Sequence, residues 1–369
     1  MKEKTRSIIV VSVMAILLFV VSAVCIFKKA DDYSDSERRV LAKKPEISFQ
    51  SILNGKFMSD FESYAMDQFP MRDNIRGIKS FNELFIFNKR DNNKLYLSDG
   101  FISKTEYPLN NDMLDKATEK FKFLYEQNLK DKDVDIYLTI VPDKNCYISE
   151  EELRLSVDYN EIKEKMIKDN EYMSYIDISD LIDIDDFYRT DTHWKQENIV
   201  DIAEKICSEM GTELNSEYEV AELPDDFYGV YYGQLALPVT PDRIKYLTNE
   251  EIENCVVTSY ATGMPKETTV YNFDKAKSKD PYEFFLSGAD PLVIIENPNT
   301  NNDKELVIFR DSFTSSLAPL MINGYSKITL VDIRYVQSGM VGNLVEFKDN
   351  QDILFIYSTT ILNNSTAFK

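Results

Sequence analysis

The chain has 369 residues, and its 63 acidic side chains against 42 basic ones give a formal net charge of −21. It contains a single histidine, which excludes metal sites built on histidine pairs, and its acidity argues against nucleic-acid binding, which needs Lys and Arg to neutralise phosphates. The spacing of its eleven glycines matches neither the dinucleotide-binding G-x-G-x-x-G pattern nor the phosphate-binding P-loop.

An uncharged apolar run covers residues 8–27, which is long enough to cross a bilayer as a helix. Basic residues precede it, and this flank predicts a cytoplasmic N-terminus, with residues 1–30 as tail and membrane anchor and the rest of the chain extracytoplasmic. The alternative is a signal peptide cleaved after Ala23, which gives a secreted protein. We prefer the anchor because the apolar run is longer than a usual signal-peptide core.

Residues 31–110 form the second predicted region: a polar stem, then helices and a hairpin that we expect to pack on the domain that follows. Apolar residues recur at helical spacing over 49–69 and again over 75–87, which predicts two amphipathic helices. Asp99-Gly100 lies between two short runs rich in β-forming residues and predicts the turn of a hairpin.

Residues 111–369 show the alternation of strands and helices that is typical of an α/β domain. Helices are predicted over 112–128, 194–210, 314–322 and 340–347, and strands over 135–141, 292–296, 305–309, 327–332 and 352–357. The alternation predicts a mostly parallel central sheet covered by helices on both faces, a three-layer sandwich. The stretch around 211–290 is interpreted as an insertion that carries loops.

The first candidate for chemistry is the pair Asp191 and His193, in front of Trp194. Residues i and i+2 of an extended segment point the same way, so the carboxylate can orient the imidazole and stabilise its protonated form. The alternative is structural, with Asp191 or Thr192 capping the helix predicted from Trp194 onwards.

The second candidate is Ser312, between an apolar strand and a predicted helix. A serine at such a strand–turn–helix junction exposes its hydroxyl at the carboxyl end of the sheet, where backbone N–H groups can bind an oxyanion. Helix capping by Asp311 or Ser312 is again the alternative. The two motifs together favour chemistry, because they supply a nucleophile, a base and a group that orients the base.

The sequences Asp-Thr-His-Trp at 191–194 and Arg-Asp-Ser-Phe at 310–313 resemble the DHHW-motif proteins of bacteria, which are similar to the alginate O-acetylation proteins. Shorter matches extend the resemblance along most of the exported chain, at 37–41, 44–45, 67–73, 141–144 and 226–229. The resemblance implies an SGNH-hydrolase-like fold. It also implies a triad with Ser312 as nucleophile, His193 as base and Asp191 as orienting carboxylate.

The resemblance implies a membrane-anchored, extracytoplasmic, serine-dependent O-acetyltransferase or esterase that modifies a cell-envelope polysaccharide or exopolysaccharide. The acyl group then comes from a membrane-embedded donor protein, and no cofactor or metal takes part. The alternative is a non-catalytic glycan-binding or scaffold protein of an envelope polymer biosynthesis complex. Substrate-binding candidates are Arg310, Trp194, Tyr228 and Gly229. For Arg310 a salt bridge with one of the many carboxylates is the favoured alternative.

Overall fold

The computed structural model describes residues 3–149, 152–214, 217–300 and 302–369. The chain divides into two units. The first comprises Met1–Asn92 with Tyr232–Pro238, and the second comprises Asn93–Tyr231 with Val239–Lys369.

The first unit begins with helix α1 (Glu3–Phe27), which is long and apolar enough to span a membrane and is not buried in the protein. A membrane span and a signal sequence both meet this test. Further along lie a short antiparallel pair and three helices: β1 (Tyr33–Ser34), β2 (Arg39–Val40), α2 (Phe49–Leu53), α3 (Lys56–Asp67) and α4 (Arg72–Phe81), which continues as a π-helical turn (Asn82–Ile86).

The helix predicted over 49–69 is interrupted after Leu53. Gly55 has φ +76°, a conformation that glycine adopts without a steric penalty, and it separates α2 from α3. The apolar periodicity continues across the break, which is why the pattern alone predicts one helix.

The second unit opens with the predicted hairpin, β3 (Leu95–Ser98) and β4 (Phe101–Lys104), and with helix α5 (Asn111–Leu124). Its remaining strands are β5 (Asp135–Val141), β6 (Ser174–Tyr175), β7 (Glu219–Glu222), β8 (Lys245–Thr248), β9 (Val256–Ser259), β10 (Lys266–Thr268), β11 (Leu292–Glu296), β12 (Glu305–Arg310), β13 (Lys327–Val331) and β14 (Asp352–Ser358). Its remaining helices are α6 (Asn145–Ile148), α7 (Tyr159–Asp169), α8 (Val200–Glu209), α9 (Val230–Leu235, which runs into the first unit), α10 (Glu250–Asn254), α11 (Thr314–Leu317), α12 (Val341–Leu344) and α13 (Thr359–Leu362).

Eight strands form the central sheet in the order β10-β9-β11-β13-β12-β14-β5-β6. The five strands from β13 to β6 pair in parallel, as the sequence predicts. β11 instead pairs antiparallel with β13 and with β9. The connection from β11 to β12 is too short for the crossover that parallel strands require, so the chain must reverse its direction there.

The sheet is covered on both faces. Leu306 and Ile308 of β12 belong to one apolar cluster, together with Ile202 of α8, while Val307 and Phe309 belong to another. Consecutive residues of a strand point to opposite faces, so this alternation places a core on each side of the sheet. The result is the predicted three-layer α/β sandwich, and β12, β14 and β5 end at the same edge.

Candidate active site

The loop after β12 presents Ser312. Arg310 is the last residue of the strand, and α11 begins at Thr314, two residues beyond the serine. The Asp311 carboxylate is buried and accepts from the N–H groups of Phe313 (3.1 Å) and of Ser358, the last residue of β14 (2.8 Å). Asp311 therefore binds its own turn to the neighbouring strand and leaves the half-buried Ser312 as the accessible polar residue of the turn.

The loop that carries His193 is closed by backbone pairing. Phe187 and Trp194 form an antiparallel bridge, and Tyr188 N–H donates to the carbonyl of His193 (3.0 Å). The helix predicted to begin at Trp194 begins only at Val200, because residues 194–199 form this bridge and a 3₁₀ turn. Neither Asp191 nor Thr192 caps α8, whose N-cap is Ile199.

Asp191, His193 and Ser312 form a continuous hydrogen-bonded chain. The His193 ring lies 2.6 Å from Asp191 Oδ1 through Nδ1 and 2.8 Å from Ser312 Oγ through Nε2. Asp191 Oδ1 also accepts from the His193 N–H (3.1 Å), and Oδ2 accepts from the Val230 N–H (2.7 Å). A carboxylate at Nδ1 favours the tautomer that carries its proton there, which leaves Nε2 free to accept the serine proton.

The imidazole is held by aromatic packing. Its ring stacks on Tyr282 with 3.8 Å between centroids and 5° between planes, and Phe313 packs against it at 5.0 Å. Tyr282 is buried, and burial raises the pKa of its phenol, so it remains a neutral packing group. No motif in the sequence points to Tyr282, because it lies in the stretch interpreted as a loop insertion.

Trp194 connects the loop of His193 to the loop of Ser312 in the protein interior. It is fully buried, and its indole N–H donates to the carbonyl of Phe313 (3.0 Å) and to Ser316 Oγ (2.9 Å). Ser316 Oγ also hydrogen-bonds the hydroxyl of Tyr282 (2.8 Å). The residue next to the histidine thus fixes the segment that follows the serine, a positioning role in place of the substrate contact suggested by the sequence.

Asp242 holds the backbone beneath the Asp191 loop. Its carboxylate accepts from the N–H of Arg189 (2.8 Å) and from both the N–H (2.8 Å) and the hydroxyl (2.6 Å) of Thr190. Asp242 is buried, and these three bonds supply the hydrogen-bond partners that a buried polar side chain requires. It is 49 or more positions from every residue of the candidate triad, and the sequence contains no signal for it.

Lys144 supports the same loop from the turn after β5. Its buried Nζ donates to the carbonyls of Tyr188 (3.0 Å) and Arg189 (3.4 Å). Burial lowers the pKa of this amine to about 7, and the negative charges of Asp191 and Asp242 oppose that effect. In the sequence, residues 141–144 belong only to the family resemblance, and the structure shows that Lys144 hydrogen-bonds the histidine loop.

Gly229 packs against the backbone of the Asp191 loop. Its N–H donates to Thr190 Oγ1 (3.0 Å), and a Cβ at this position would lie 2.3 Å from the Cβ of Asp191 and 2.4 Å from the carbonyl oxygen of Thr190. Only glycine permits this approach. Gly229 therefore allows its backbone to pack directly against the Asp191 loop. Its neighbour Tyr228 has 43% of its surface exposed.

The structure places Arg310 in the interior. Its guanidinium donates to Ser315 Oγ (3.1 Å) and to the carbonyls of Asp311 (3.3 Å) and Gly288 (3.3 Å), and burial lowers its pKa. These partners are neutral oxygen atoms, not the carboxylate expected of a salt bridge. Arg310 thus braces the serine turn and is not positioned to touch a substrate.

Among the described residues, no group of three or more His, Cys, Asp or Glu side chains is arranged to hold a metal.

Comparison with known proteins shows the fold. No protein-family model and no curated protein sequence matches the chain. Among solved structures, a DHHW family protein from Eubacterium siraeum matches with a TM-score of 0.58 and 17% identity, over 75% of this chain and 94% of that one. PatB1 of Bacillus cereus matches with a TM-score of 0.59 and 16% identity, over 73% and 97%, and it has also been solved with a sulfonyl adduct. The O-acetyltransferase domain of Pseudomonas putida AlgJ matches with a TM-score of 0.44 and 12% identity, over 73% and 92%. The chain thus shares its fold with the DHHW family protein and with PatB1, in line with the resemblance of its motifs.

Proposed function

We propose that the protein is a membrane-anchored, extracytoplasmic O-acyltransferase or acyl esterase that acts through Ser312, His193 and Asp191. The observation that carries the proposal is the 2.8 Å separation of His193 Nε2 and Ser312 Oγ, with a buried carboxylate on the other ring nitrogen. Nucleophile and base at hydrogen-bond distance, with the base oriented by a third group, is the arrangement that activates a serine.

In the first half-reaction, Ser312 Oγ attacks the carbonyl carbon of an acyl donor while His193 Nε2 takes the hydroxyl proton. The tetrahedral intermediate carries its negative charge on the former carbonyl oxygen. The N–H of Ser312 has no hydrogen-bond partner among the described residues, so it is available to donate to that oxygen. The intermediate collapses when His193 returns the proton to the departing alkoxide, which leaves an acyl-serine.

In the second half-reaction, His193 takes a proton from an incoming hydroxyl, which attacks the acyl-serine. Ser312 then departs with that proton, and the enzyme is restored. A sugar hydroxyl as acceptor gives transfer, and water gives hydrolysis. We propose acetyl as the acyl group, a polysaccharide as the acceptor, and a membrane-embedded protein as the donor, with α1 as the anchor. Tyr228, whose ring is partly exposed beside the Asp191 loop, is proposed to pack against the sugar.

The test uses the full chain in detergent or vesicles and measures p-nitrophenol release from p-nitrophenyl acetate. Ser312→Ala and His193→Ala are expected to abolish turnover, and intact-mass analysis is expected to detect an acetyl group on the wild type only. Ser174→Ala, which changes an exposed serine of the same unit, is the matched control and is expected to retain activity. Because PatB1 has been captured with a sulfonyl adduct, a sulfonyl fluoride is expected to modify Ser312 here.

Equal turnover in the wild type and in both triad variants would refute the proposed triad. Glycan binding that persists in Ser312→Ala, without any acyl-serine in the wild type, would instead favour the non-catalytic glycan-binding or scaffold function. The two readouts therefore separate the proposed enzyme from its alternative.

A further inference from the structure

Exposed apolar side chains are concentrated in one part of the first unit. Among the described residues, fifteen large hydrophobic side chains are exposed within residues 47–87, whereas the much longer second unit exposes thirteen. Isolated exposed hydrophobic residues are ordinary, but a dense group of them marks a surface that contacts something other than water. We call these exposed side chains of residues 47–87 the apolar face.

Helix α4 shows that this exposure is not caused by loose packing. One side of the helix is bound within its unit: Arg76 Nη2 donates to the carbonyls of Gly233 (3.0 Å) and Gln234 (2.6 Å), and Ser80 Oγ donates to the carbonyl of Leu235 (2.5 Å). Gly77 lies so close to this segment that a Cβ would be 2.6 Å from the carbonyl oxygen of Ala236. The rotation of the helix about its axis is therefore fixed.

The opposite side of α4 and its π-helical extension carries apolar residues at helical spacing. Ile75, Ile78, Phe81 and Phe85 are 46%, 62%, 50% and 54% exposed, and the last two rings lie 5.3 Å apart. A helix whose polar side is bound by the protein and whose apolar side is uncovered is expected to bury that apolar side against another surface.

The end of α3 is hydrogen-bonded to the chain just beyond α1. Gln68, which follows α3, accepts from the N–H of Asp31 (2.9 Å) and donates to the carbonyl of Asp31 (2.8 Å). Asp31 is four residues beyond Phe27, the end of α1, and four extended residues span at most about 14 Å. If α1 spans a membrane, the end of α3 lies at the membrane surface.

We propose that the apolar face lies in the outer-leaflet interface of the lipid membrane that α1 spans. The inference rests on the membrane anchor of the proposed function. Residues 47–87 contain four basic and five acidic side chains, so the face is nearly neutral within a strongly acidic chain. Its contact with lipid is therefore apolar, in the manner of a helix that lies in the membrane plane, and needs no anionic headgroup.

The experiment introduces a fluorescent reporter at the apolar face. Trp194, the single native tryptophan, is fully buried, so Phe85→Trp adds the only exposed indole. The full chain is reconstituted in phosphatidylcholine vesicles with and without bromine on the acyl chains. We expect brominated lipid to quench the added emission, equally at low and high salt. Phe123→Trp, which places the same change on an exposed position of α5, is the matched control and is expected not to be quenched.

Equal emission of Phe85→Trp in brominated and ordinary vesicles overturns the proposal, and a protein partner or a second copy of the chain then becomes the better occupant. A second variant adds Ile78→Glu to Phe85→Trp and is expected to lose much of the quenching, because a carboxylate opposes insertion into lipid. Vesicle flotation separates the two levels of inference. A chain that floats but is not quenched contradicts the apolar face alone, whereas a chain that does not float contradicts the anchor as well. Neither readout depends on ester turnover.

Discussion

Replacing Gly229 by alanine tests whether the backbone behind Asp191 sets the geometry of the candidate triad. The added Cβ would lie 2.3 Å from the Cβ of Asp191, whereas ordinary contacts begin at 3.4 Å, so the two segments must separate by about 1.1 Å. Asp191 binds both the His193 ring and the Val230 N–H, so the strain acts directly on the position of the imidazole. A misplacement of about 1 Å in a catalytic constellation can cost about 10²-fold in rate.

We therefore expect Gly229→Ala to lower kcat for p-nitrophenyl acetate by about 10²-fold, with a stability loss of about 1–3 kcal/mol from overpacking. Gly339→Ala is the matched control, because its added Cβ meets nothing within 4 Å and its φ is not in the left-handed region. Thermal unfolding separates a misplaced triad from an unfolded protein. A folded Gly229→Ala variant with the kcat of the wild type would refute the reasoning.

Three further changes test other contacts. Asp191→Asn is expected to lower kcat by about 10⁴-fold, because an amide at Nδ1 no longer favours the productive tautomer; wild-type turnover would remove Asp191 from the triad. Trp194→Phe loses the indole bonds to Phe313 and Ser316, and a fall of about 1–3 kcal/mol in unfolding free energy is expected by chemical denaturation; an unchanged midpoint would deny the bracing role. Burial raises the pKa of Asp143 to about 6 in the folded protein, from a value of 3.8 in the unfolded chain. The protonated carboxyl therefore makes its full contribution to stability below pH 3.8, and this contribution is lost as the pH rises through about 6. Wild-type stability relative to Asp143→Asn should thus fall by on the order of 3 kcal/mol between pH 3 and pH 7, and a pH-independent difference would contradict the shift.

The parallel strands could be predicted because burial on both faces forces continuous apolar runs. The strands predicted over 135–141 and 292–296 match β5 and β11 residue for residue. The strand pattern of β11 carries no information about its direction, and the sequence signal for the reversal is the short connection between β11 and β12. The start of α8 was also missed, because the bridge between Phe187 and Trp194 depends on residues on both sides of the loop.

The groups that hold the candidate site were the least predictable part. Asp242 and Tyr282 come from the stretch interpreted as loops. Asp242 binds Thr190, more than fifty positions away, and Tyr282 stacks on the ring of His193, and no local spacing in the sequence encodes either contact. The stretch is more than an insertion of loops, because it also supplies β9 and β10 to the central sheet. Motifs identified Asp191, His193 and Ser312, whereas only the fold identifies what keeps them in place.

The pairing of His193 with Trp194 gives a physical reason for the second residue of the motif. Adjacent residues of the bridged segment point to opposite sides, so the imidazole faces Ser312 while the indole enters the interior. The indole N–H donates to the carbonyl of Phe313, the residue that follows Ser312. One dipeptide thus contacts the serine turn twice, once through the hydroxyl of Ser312 and once through the carbonyl of Phe313. Because both contacts come from one short, bridged segment, the buried bond of the indole connects the same two loops as the 2.8 Å hydrogen bond between His193 and Ser312.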